Sequence, residues 1–253
     1  RTAQNLAAAI AAIHARGYVV GDLNESNILV TPTALVTLID TDSFQVQKQD
    51  HAQIITYPCP VGKAEYTPPE LQGQVFRETI RQAAHDRFGL GVLIFQILMD
   101  GSHPFRGKWQ ESGDAPLLEE KIQAGWFPHD PAAKSKVIPP PNVRLDILHP
   151  HLATLVRRCF IEGHTRPDQR PTAEEWDHAL EQAEQELVQC RNGHYYSGHL
   201  SQCPRCQSNA THTPFLPPPQ EEESDSDRSG LDFGKSLGKV GKPVEKTVEK
   251  SGK

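Results

Sequence analysis

The fold of this 253-residue chain is decided by one stretch, Gly17-Tyr18-Val19-Val20-Gly21-Asp22-Leu23-Asn24-Glu25-Ser26-Asn27-Ile28-Leu29-Val30. An apolar run leads to the carboxylate of Asp22, the carboxamide of Asn27 follows five residues later, and a second apolar run comes next. Further along, the apolar run 35–39 ends in Asp40. Val, Ile, Leu and Thr favour strands, so we expect these three polar side chains to lie where short strands end. Carboxylate and carboxamide oxygens are ligands that Mg²⁺ takes beside phosphates, so the pattern predicts one metal–phosphate site.

Six short motifs in a fixed order resemble those of the protein-kinase superfamily, and the resemblance extends from about Leu6 to Leu187. Taken alone, a single Asp-Leu-Asn most often marks a turn, so it is the ordered set that carries the resemblance. The motifs and their counterparts are Asp22-Leu23-Asn24-Glu25-Ser26-Asn27 (catalytic loop), Leu29 (residue beneath the adenine), Asp40-Thr41-Asp42 (Asp-Phe-Gly), Pro68-Pro69-Glu70 (end of the activation segment), Asp86-Arg87-Phe88-Gly89-Leu90-Gly91 (start of a buried helix) and Arg170-Pro171-Thr172 (late Arg motif).

The resemblance implies a role for each candidate site residue. The residue matched by Asp22 accepts the proton of the substrate hydroxyl, and those matched by Asn27 and Asp40 bind Mg²⁺. Leu29 would pack beneath the adenine of ATP. The implied cofactors are ATP and Mg²⁺, and the implied reaction is transfer of the γ-phosphoryl group to Ser or Thr hydroxyls of protein substrates.

The implied fold class is mainly α (α+β), namely the helical carboxy-terminal lobe of a kinase over residues 1–188 with short strands at the catalytic loop. Apolar spacing supports helices, and the segment from Asp86 is apolar on every side, as expected of a buried helix. Thr172 with Glu175 three residues later predicts a capping box. The resemblance also pairs Glu70 with Arg170. The predicted helices are 2–15, 86–99, 152–160 and 172–187, with a proline-dense loop at 128–150.

The chain opens on Arg1 in helix-like sequence, without an initiator Met. We therefore expect a fragment whose amino-terminal lobe is missing and which is inactive by itself, even where the full-length parent is an active kinase.

Residues 43–67 are the expected activation segment, in which Thr56, Tyr57 and Thr67 are candidate phosphorylation sites. Packing or simple hydrogen bonding explains these hydroxyls equally well. Many kinases carry an Arg directly before the catalytic Asp, where it receives a phosphate of this segment. Gly21 stands at that position, so we expect no activation by that route.

Several other positions depart from the family pattern. Val20 replaces the usual His before the catalytic Asp, and Asn24 replaces the Lys that steadies the transferred phosphate. Thr41 and Asp42 replace the Phe and Gly after the metal-binding Asp. These departures leave an alternative open: a pseudokinase scaffold that binds nucleotide or a protein partner without phosphotransfer. Retention of the catalytic Asp and both metal ligands favours the enzyme.

A second candidate metal site follows the last helix. Cys190 and His194 precede the knuckle formed by Cys203 and Cys206. Three thiolates and one imidazole make a closed tetrahedral Zn²⁺ site of the structural kind, and the segment resembles a zinc ribbon. His199 is the alternative fourth ligand, but the tighter loop favours His194.

We expect the zinc-ribbon-like module to span 189–210 and to contact a protein partner. The Pro-rich, acidic and Lys-rich tail 211–253 lacks the apolar content for folding and is expected to be disordered. A net charge of −6 gives no support to nucleic-acid binding, and the longest apolar run, 90–99, is too short to cross a membrane. Clustered cysteines favour metal binding in a reducing compartment, hence a cytoplasmic location.

Overall fold

The computed structural model describes residues 1–51, 53–206 and 210–214, the last five as backbone. All of them lie within one compact unit, Arg1–Phe215, which mixes helix and strand. No helix of this described part is both long and apolar enough to span a membrane. The helices of the described residues are α1 (Thr2–His14), α2 (Ala83–Leu98), α3 (Leu118–Ala124), α4 (Pro150–Arg157), α5 (Gly163–Thr165) and α6 (Ala173–Gln185).

Short strands form separate antiparallel sheets. Their bounds are β1 (Ile28–Val30), β2 (Val36–Leu38), β3 (Val46–Asp50), β4 (Gln53–Tyr57), β5 (Lys108–Trp109), β6 (Val137–Ile138), β7 (Leu187–Cys190), β8 (Tyr195–Ser197) and β9 (Ala210–Pro214). β1 pairs with β2, β3 with β4 and β5 with β6, whereas β7 lies between β8 and β9. The β1–β2 hairpin follows the predicted catalytic loop, and the β8–β7–β9 sheet carries part of the cysteine cluster.

α2 lies in the core of the molecule. From Phe88 to Phe95 its apolar side chains are buried on every side, with Phe88, Ile94 and Phe95 fully enclosed, whereas Ile97 near its end is exposed. The rings of Phe88 and Phe95 meet Phe160 edge-on, with centroids 5.7 and 6.3 Å apart. Burial of aromatic side chains in this way dominates the stability of a core.

The start of α2 differs from the prediction. The sequence places it at Asp86, but the helix begins three residues earlier, at Ala83. The backbone N–H of Gln82 donates to Nδ1 of His85 at 2.9 Å and caps the additional turn. Asp86 is thereby placed inside the helix, where its carboxylate is buried.

α1 packs against α6 and α2 and closes the lobe. Its buried face includes Leu6 and Ile10, as the apolar spacing predicts. The capping box of α6 is confirmed: the Thr172 N–H donates to Glu175 Oε2 at 2.8 Å, and the Glu175 N–H donates to Thr172 Oγ1 at 3.2 Å. Trp176, one turn into α6, is fully buried.

Other boundaries also differ. The helix predicted over 152–160 ends as α4 at Arg157 and continues as a wide π-helical turn, Arg158–Glu162, into α5. The activation segment 43–67 contains the β3–β4 hairpin, which is not predicted from the sequence. Residues 211–214, predicted as tail, belong to β9 because their backbone pairs with β7. The rest of the predicted tail lies outside the described residues.

Candidate active site and metal cluster

Asp86 fixes the backbone that carries Asp22. Its carboxylate accepts the N–H of Val20 at 2.7 Å and the N–H of Gly21 at 2.8 Å. The Nε2 atom of His14, at the end of α1, lies 3.0 Å from the same carboxylate. Because Asp86 belongs to the buried helix α2, these bonds tie the candidate catalytic loop to the core.

Two carboxamides orient the Asp22 carboxylate. Asn24 Nδ2 donates to Asp22 Oδ1 at 2.8 Å, and Asn27 Nδ2 donates to Asp22 Oδ2 at 3.2 Å and to the Asp22 carbonyl at 2.9 Å. Asn24 is 1% exposed, and its Oδ1 accepts the N–H of Ser26 at 3.0 Å. The side chain that replaces the usual Lys is therefore committed to holding the loop and Asp22 in place.

Asp40 lies beside the same loop. The N–H of Ile39 donates to the carbonyl of Asn27 at 3.0 Å, which extends the β1–β2 pairing to the edge of the site. A hydrogen bond with the Asp42 carboxyl, followed by burial and by repulsion from Asp42 and Asp22, raises the pKa of Asp40 above its ordinary value. Three acidic groups therefore lie close enough to influence one another, an arrangement that a divalent cation would relieve.

The prediction that these side chains end strands is wrong in detail. Asp22 follows an irregular segment in which only Val19 forms an isolated bridge, to Gln45. Asn27 precedes β1 instead of following a strand, and Asp40 comes two residues after β2 in the left-handed region, at φ 58°. Hydrogen bonds to the buried Asp86 replace the ladder that a strand before Asp22 would have provided.

Leu29 lies on β1, opposite Thr37 of β2. Its side chain is 55% exposed, and Val30 and Leu35 nearby are also exposed. The described residues thus leave an apolar surface next to Asn27, where the family resemblance implies the adenine.

The Glu70–Arg170 pair expected from the resemblance is confirmed. Arg170 Nη1 and Nη2 donate to the two Glu70 carboxylate oxygens at 2.6 and 2.7 Å. The Arg170 side chain is fully buried and also donates to the carbonyls of Gly163 and Ala84, at 2.9 and 3.0 Å. This bidentate pair joins the end of the activation segment to the turn before α6.

Two basic residues near Asp22 are not predicted from the sequence. Lys63 Nζ lies 3.0 Å from Glu25 Oε1 and 2.5 Å from Ser26 Oγ, so it contacts the catalytic loop from the activation segment. Arg81 donates to the carbonyl of Gly21. Neither residue stands in a recognised motif, and nothing in the local sequence marks either one.

A cavity of about 650 Å³ adjoins the catalytic loop. The Tyr66 hydroxyl donates to Gln96 Oε1 at 3.0 Å at its edge, and burial raises the pKa of that hydroxyl. The wall combines both signs of charge. Its charged lining residues are Glu25, Lys63, Glu65, Arg106 and Lys121.

The structure brings together Cys190, His194, Cys203 and Cys206, with all four ligand atoms within 4.8 Å of one another. Cys190 Sγ lies 3.6 Å from His194 Nδ1 and 3.6 Å from Cys206 Sγ, and Cys203 Sγ lies 3.8 Å from His194 Nδ1. A tetrahedral Zn²⁺ holds sulfur and nitrogen ligands about 3.5–3.8 Å apart, given bond lengths near 2.3 and 2.0 Å. The donor set and its spacing therefore fit zinc.

His199, the alternative ligand, lies outside this cluster. Its Nδ1 is 2.9 Å from Ser197 Oγ, and its Nε2 is 3.3 Å from the carbonyl of Asp146. Close by, His149 Nε2 lies 2.9 Å from Oε2 of Glu186, the residue that caps the end of α6 and precedes β7. His199 thus helps to seat the β8–β7–β9 sheet against the helical lobe.

Comparison with known proteins agrees with the motifs. Residues 1–180 match the family model described as "Protein kinase domain". The chain is 36% identical over 209 residues to "Protein kinase YegI" of Escherichia coli O157:H7 and 35% identical over 209 residues to that of strain K12, covering 81% of this chain and 32% of each relative. It is 30% identical over 161 residues to "Probable cAMP-dependent protein kinase catalytic subunit" of Encephalitozoon cuniculi, covering 64% of this chain and 39% of that protein. The chain spans about a third of the length of these curated relatives.

Proposed function

This chain belongs to the protein-kinase family, and on that premise we propose that the protein containing it transfers the γ-phosphoryl group of ATP to Ser or Thr hydroxyls of protein substrates with the help of Mg²⁺. The observation that carries the proposal is the clamp on Asp22. Asn27 donates through its nitrogen to Asp22, and no hydrogen bond within the described residues occupies Asn27 Oδ1. That oxygen is left for a metal ion beside the carboxylate that would receive the substrate.

Asp22 would accept the proton of the incoming hydroxyl. Each of its carboxylate oxygens already accepts one amide hydrogen, from Asn24 or Asn27, and keeps a second lone pair for the substrate. Asn27 Oδ1 and the Asp40 carboxylate would bind Mg²⁺ as hard oxygen ligands. When bound, the magnesium nucleotide supplies the phosphoryl group and the positive charge that stabilises its transfer.

Leu29 and the neighbouring apolar surface of β1 and β2 would cover one face of the adenine. The cavity beside Tyr66 and Gln96 lies next to the catalytic loop, which suits the approach of a protein substrate. Positioning of the two substrates, together with charge stabilisation, would then account for most of the rate enhancement.

The second candidate function is a pseudokinase scaffold. Asn24 stands where most kinases have a Lys, so a positive charge is missing where negative charge develops during transfer. Its buried carboxamide is hydrogen-bonded to Asp22 and Ser26. A protein of this kind would bind nucleotide or a partner and leave the phosphoryl group in place.

A phosphotransfer assay of the full-length protein, with labelled ATP and Mg²⁺, distinguishes the kinase from the pseudokinase scaffold. Asp22→Asn should lower kcat by roughly 10²–10⁴-fold while nucleotide affinity stays near the wild-type value. The matched control is Asp114→Asn, because Asp114 is an exposed residue far along the chain from the motifs. Transfer that survives Asp22→Asn would remove Asp22 from the mechanism, and a wild-type protein that binds nucleotide without any transfer would establish the scaffold.

We also propose that Cys190, His194, Cys203 and Cys206 hold a structural Zn²⁺. None of the five cysteines, all of which lie in the part of the chain that the structure describes, forms a disulfide, which suits a reducing compartment and supports a cytoplasmic location. The division into a kinase lobe (residues 1–188) and a zinc module (189–210) belongs to this proposal, with β9 extending the module to residue 214. A protein is the favoured partner of the module, since the net charge of −6 does not suit a nucleic acid.

A further inference from the structure

Arg81 connects two segments on which phosphotransfer would depend. The residue is 4% exposed, and its guanidinium donates through Nη1 to the carbonyl of Gly21 and through Nη2 to the carbonyl of Val61, the latter at 2.6 Å. Gly21 directly precedes Asp22, whereas Val61 lies in the activation segment 43–67. One side chain therefore bonds the catalytic loop and the activation segment at the same time.

Further contacts fix the position of Arg81 itself. The Arg81 N–H donates to Gln45 Oε1 at 2.7 Å, and Gln45 Nε2 donates to the Arg81 carbonyl at 2.8 Å. Gln45 is 4% exposed, and its own N–H donates to the carbonyl of Val19 at 3.0 Å. The guanidinium also lies 4.3 Å from the ring centroid of Phe76, a favourable cation–π contact. The beginning and the end of the activation segment are thus both attached through Arg81.

Gly21 has the backbone conformation and the missing side chain that the contact with Arg81 requires. Its φ is +78°, and a Cβ atom there would lie 2.6 Å from Cys59 Cβ and 3.1 Å from Arg81 Nη1. A side chain at this position would therefore displace Cys59 of the activation segment or the guanidinium. An Arg in place of Gly21 would therefore compete with Arg81 and Cys59 for the same space.

We propose that Arg81 is a positioning residue that holds the activation segment in its transfer-competent conformation, so that catalysis requires no phosphate on that segment. The proposal rests on the kinase function proposed above. In many kinases an Arg precedes the catalytic Asp, and a phosphate then joins the two segments. Here the guanidinium joins them directly, through backbone carbonyls that are always present.

One candidate phosphorylation site of the activation segment, Thr67, agrees with the proposal. The Thr67 hydroxyl is buried and donates to the carbonyl of Lys63 at 2.8 Å. A phosphate on Thr67 would have to break this bond and enter packed surroundings, so its addition would disturb the conformation instead of building it.

The test uses the full-length protein, with and without prior treatment by a protein phosphatase, and measures kcat, the KM for ATP and the nucleotide affinity. Phosphatase treatment should leave the wild-type rate unchanged. Arg81→Gln should lower kcat by on the order of 100-fold, because a displacement of about 1 Å at the reacting groups has that effect, and should leave nucleotide affinity near wild type. The kcat of Arg81→Lys should lie between those of the wild type and Arg81→Gln, since an ammonium group keeps the charge but does not reproduce the planar fork of the guanidinium.

Arg77→Gln is the matched control, because Arg77 is exposed in the same loop. It should behave as wild type. If Arg81→Gln fails to fold in a thermal unfolding measurement, Phe76→Leu replaces it and should lower kcat by about fivefold through loss of the cation–π contact. Equal kcat values for Arg81→Gln and Arg77→Gln, or loss of wild-type transfer after dephosphorylation, would overturn the proposal.

A readout independent of activity distinguishes this proposal from the proposed function. Under limited proteolysis, Arg81→Gln should gain cleavage between residues 46 and 61, and Arg77→Gln should not. A wild-type protein that transfers no phosphate would remove the proposed function, yet the proteolysis would still decide on the Arg81 link: unchanged cleavage in Arg81→Gln refutes it.

Discussion

Replacing Glu70 by Gln tests how much the buried ion pair with Arg170 contributes to stability. Arg170 is fully buried, and the bidentate contacts of 2.6 and 2.7 Å are lost or weakened when the carboxylate becomes a carboxamide. Breaking a buried pair by removing one partner costs about 3–5 kcal/mol, because the other charge stays buried without compensation. The Glu70 side chain is 29% exposed, so solvent reduces this cost and we expect about 2–4 kcal/mol.

The assay is urea unfolding of the chain followed by far-ultraviolet circular dichroism, at low and at high salt. For a lobe of this size the same change corresponds to a fall in Tm of about 4–16 °C. The matched control is Glu78→Gln, because Glu78 is exposed in a short turn and should change stability by less than about 0.5 kcal/mol. High salt should leave the difference between the two variants intact, since salt screens buried pairs weakly.

A double substitution sharpens the test. Arg170→Met in the Glu70→Gln background removes the buried charge that Glu70→Gln leaves uncompensated. The double variant should therefore lose less free energy of unfolding than the two single variants lose in sum. Additive losses, or a Glu70→Gln variant as stable as Glu78→Gln, would refute the reasoning that the pair acts as a buried unit.

Two other predictions concern the metal cluster and acid stability. Wild-type protein should contain about one zinc per chain in a metal analysis, and Cys203→Ser should lose it. Cys59→Ser should keep the zinc, because Cys59 lies outside the cluster. An ordered β8–β7–β9 sheet in metal-free protein would contradict the zinc site. Burial lowers the pKa of His103 to about 4, so the unfolded chain binds more protons than the folded chain between that value and the ordinary pKa near 6.5. Stability should therefore fall as pH falls through this window, by up to about 1.4 kcal/mol per pH unit from this group, and His103→Gln should show a correspondingly shallower fall in urea unfolding. Parallel curves for the two proteins would show that His103 stays solvated or charged in the fold.

The sequence is most informative where structure follows from local pattern. The periodicity over 2–15 and the capping box at Thr172 need only residues a few positions apart, and both agree with the structure. The family is recognisable because the ordered motifs each meet a local chemical requirement. The preference for His194 over His199 also has a local basis, since the turn at Gly193, with φ +79°, returns the chain within a few residues.

Features that depend on neighbours distant in sequence are predicted less well. The expectation of a strand before Asp22 fails because Asp86, 66 residues from Val20, supplies the hydrogen bonds that a ladder would have given. The first turn of α2 and the end of α4 are displaced from their predicted positions because caps and packing override apolar spacing at helix ends.

The amino-acid sequence by itself determined the family, the buried helix, the candidate acid with its metal ligands, and the cysteines and histidine that could hold zinc. Each of these depends on side-chain chemistry repeated at short and regular spacing. Only the tertiary structure decided that Arg81 joins the catalytic loop to the activation segment and that Gly21 leaves room for the guanidinium. The acceptors of Arg81 are the backbone carbonyls of Gly21 and Val61. Every residue carries such a carbonyl, so the sequence contains no signal for the pairing until the fold brings the two segments together.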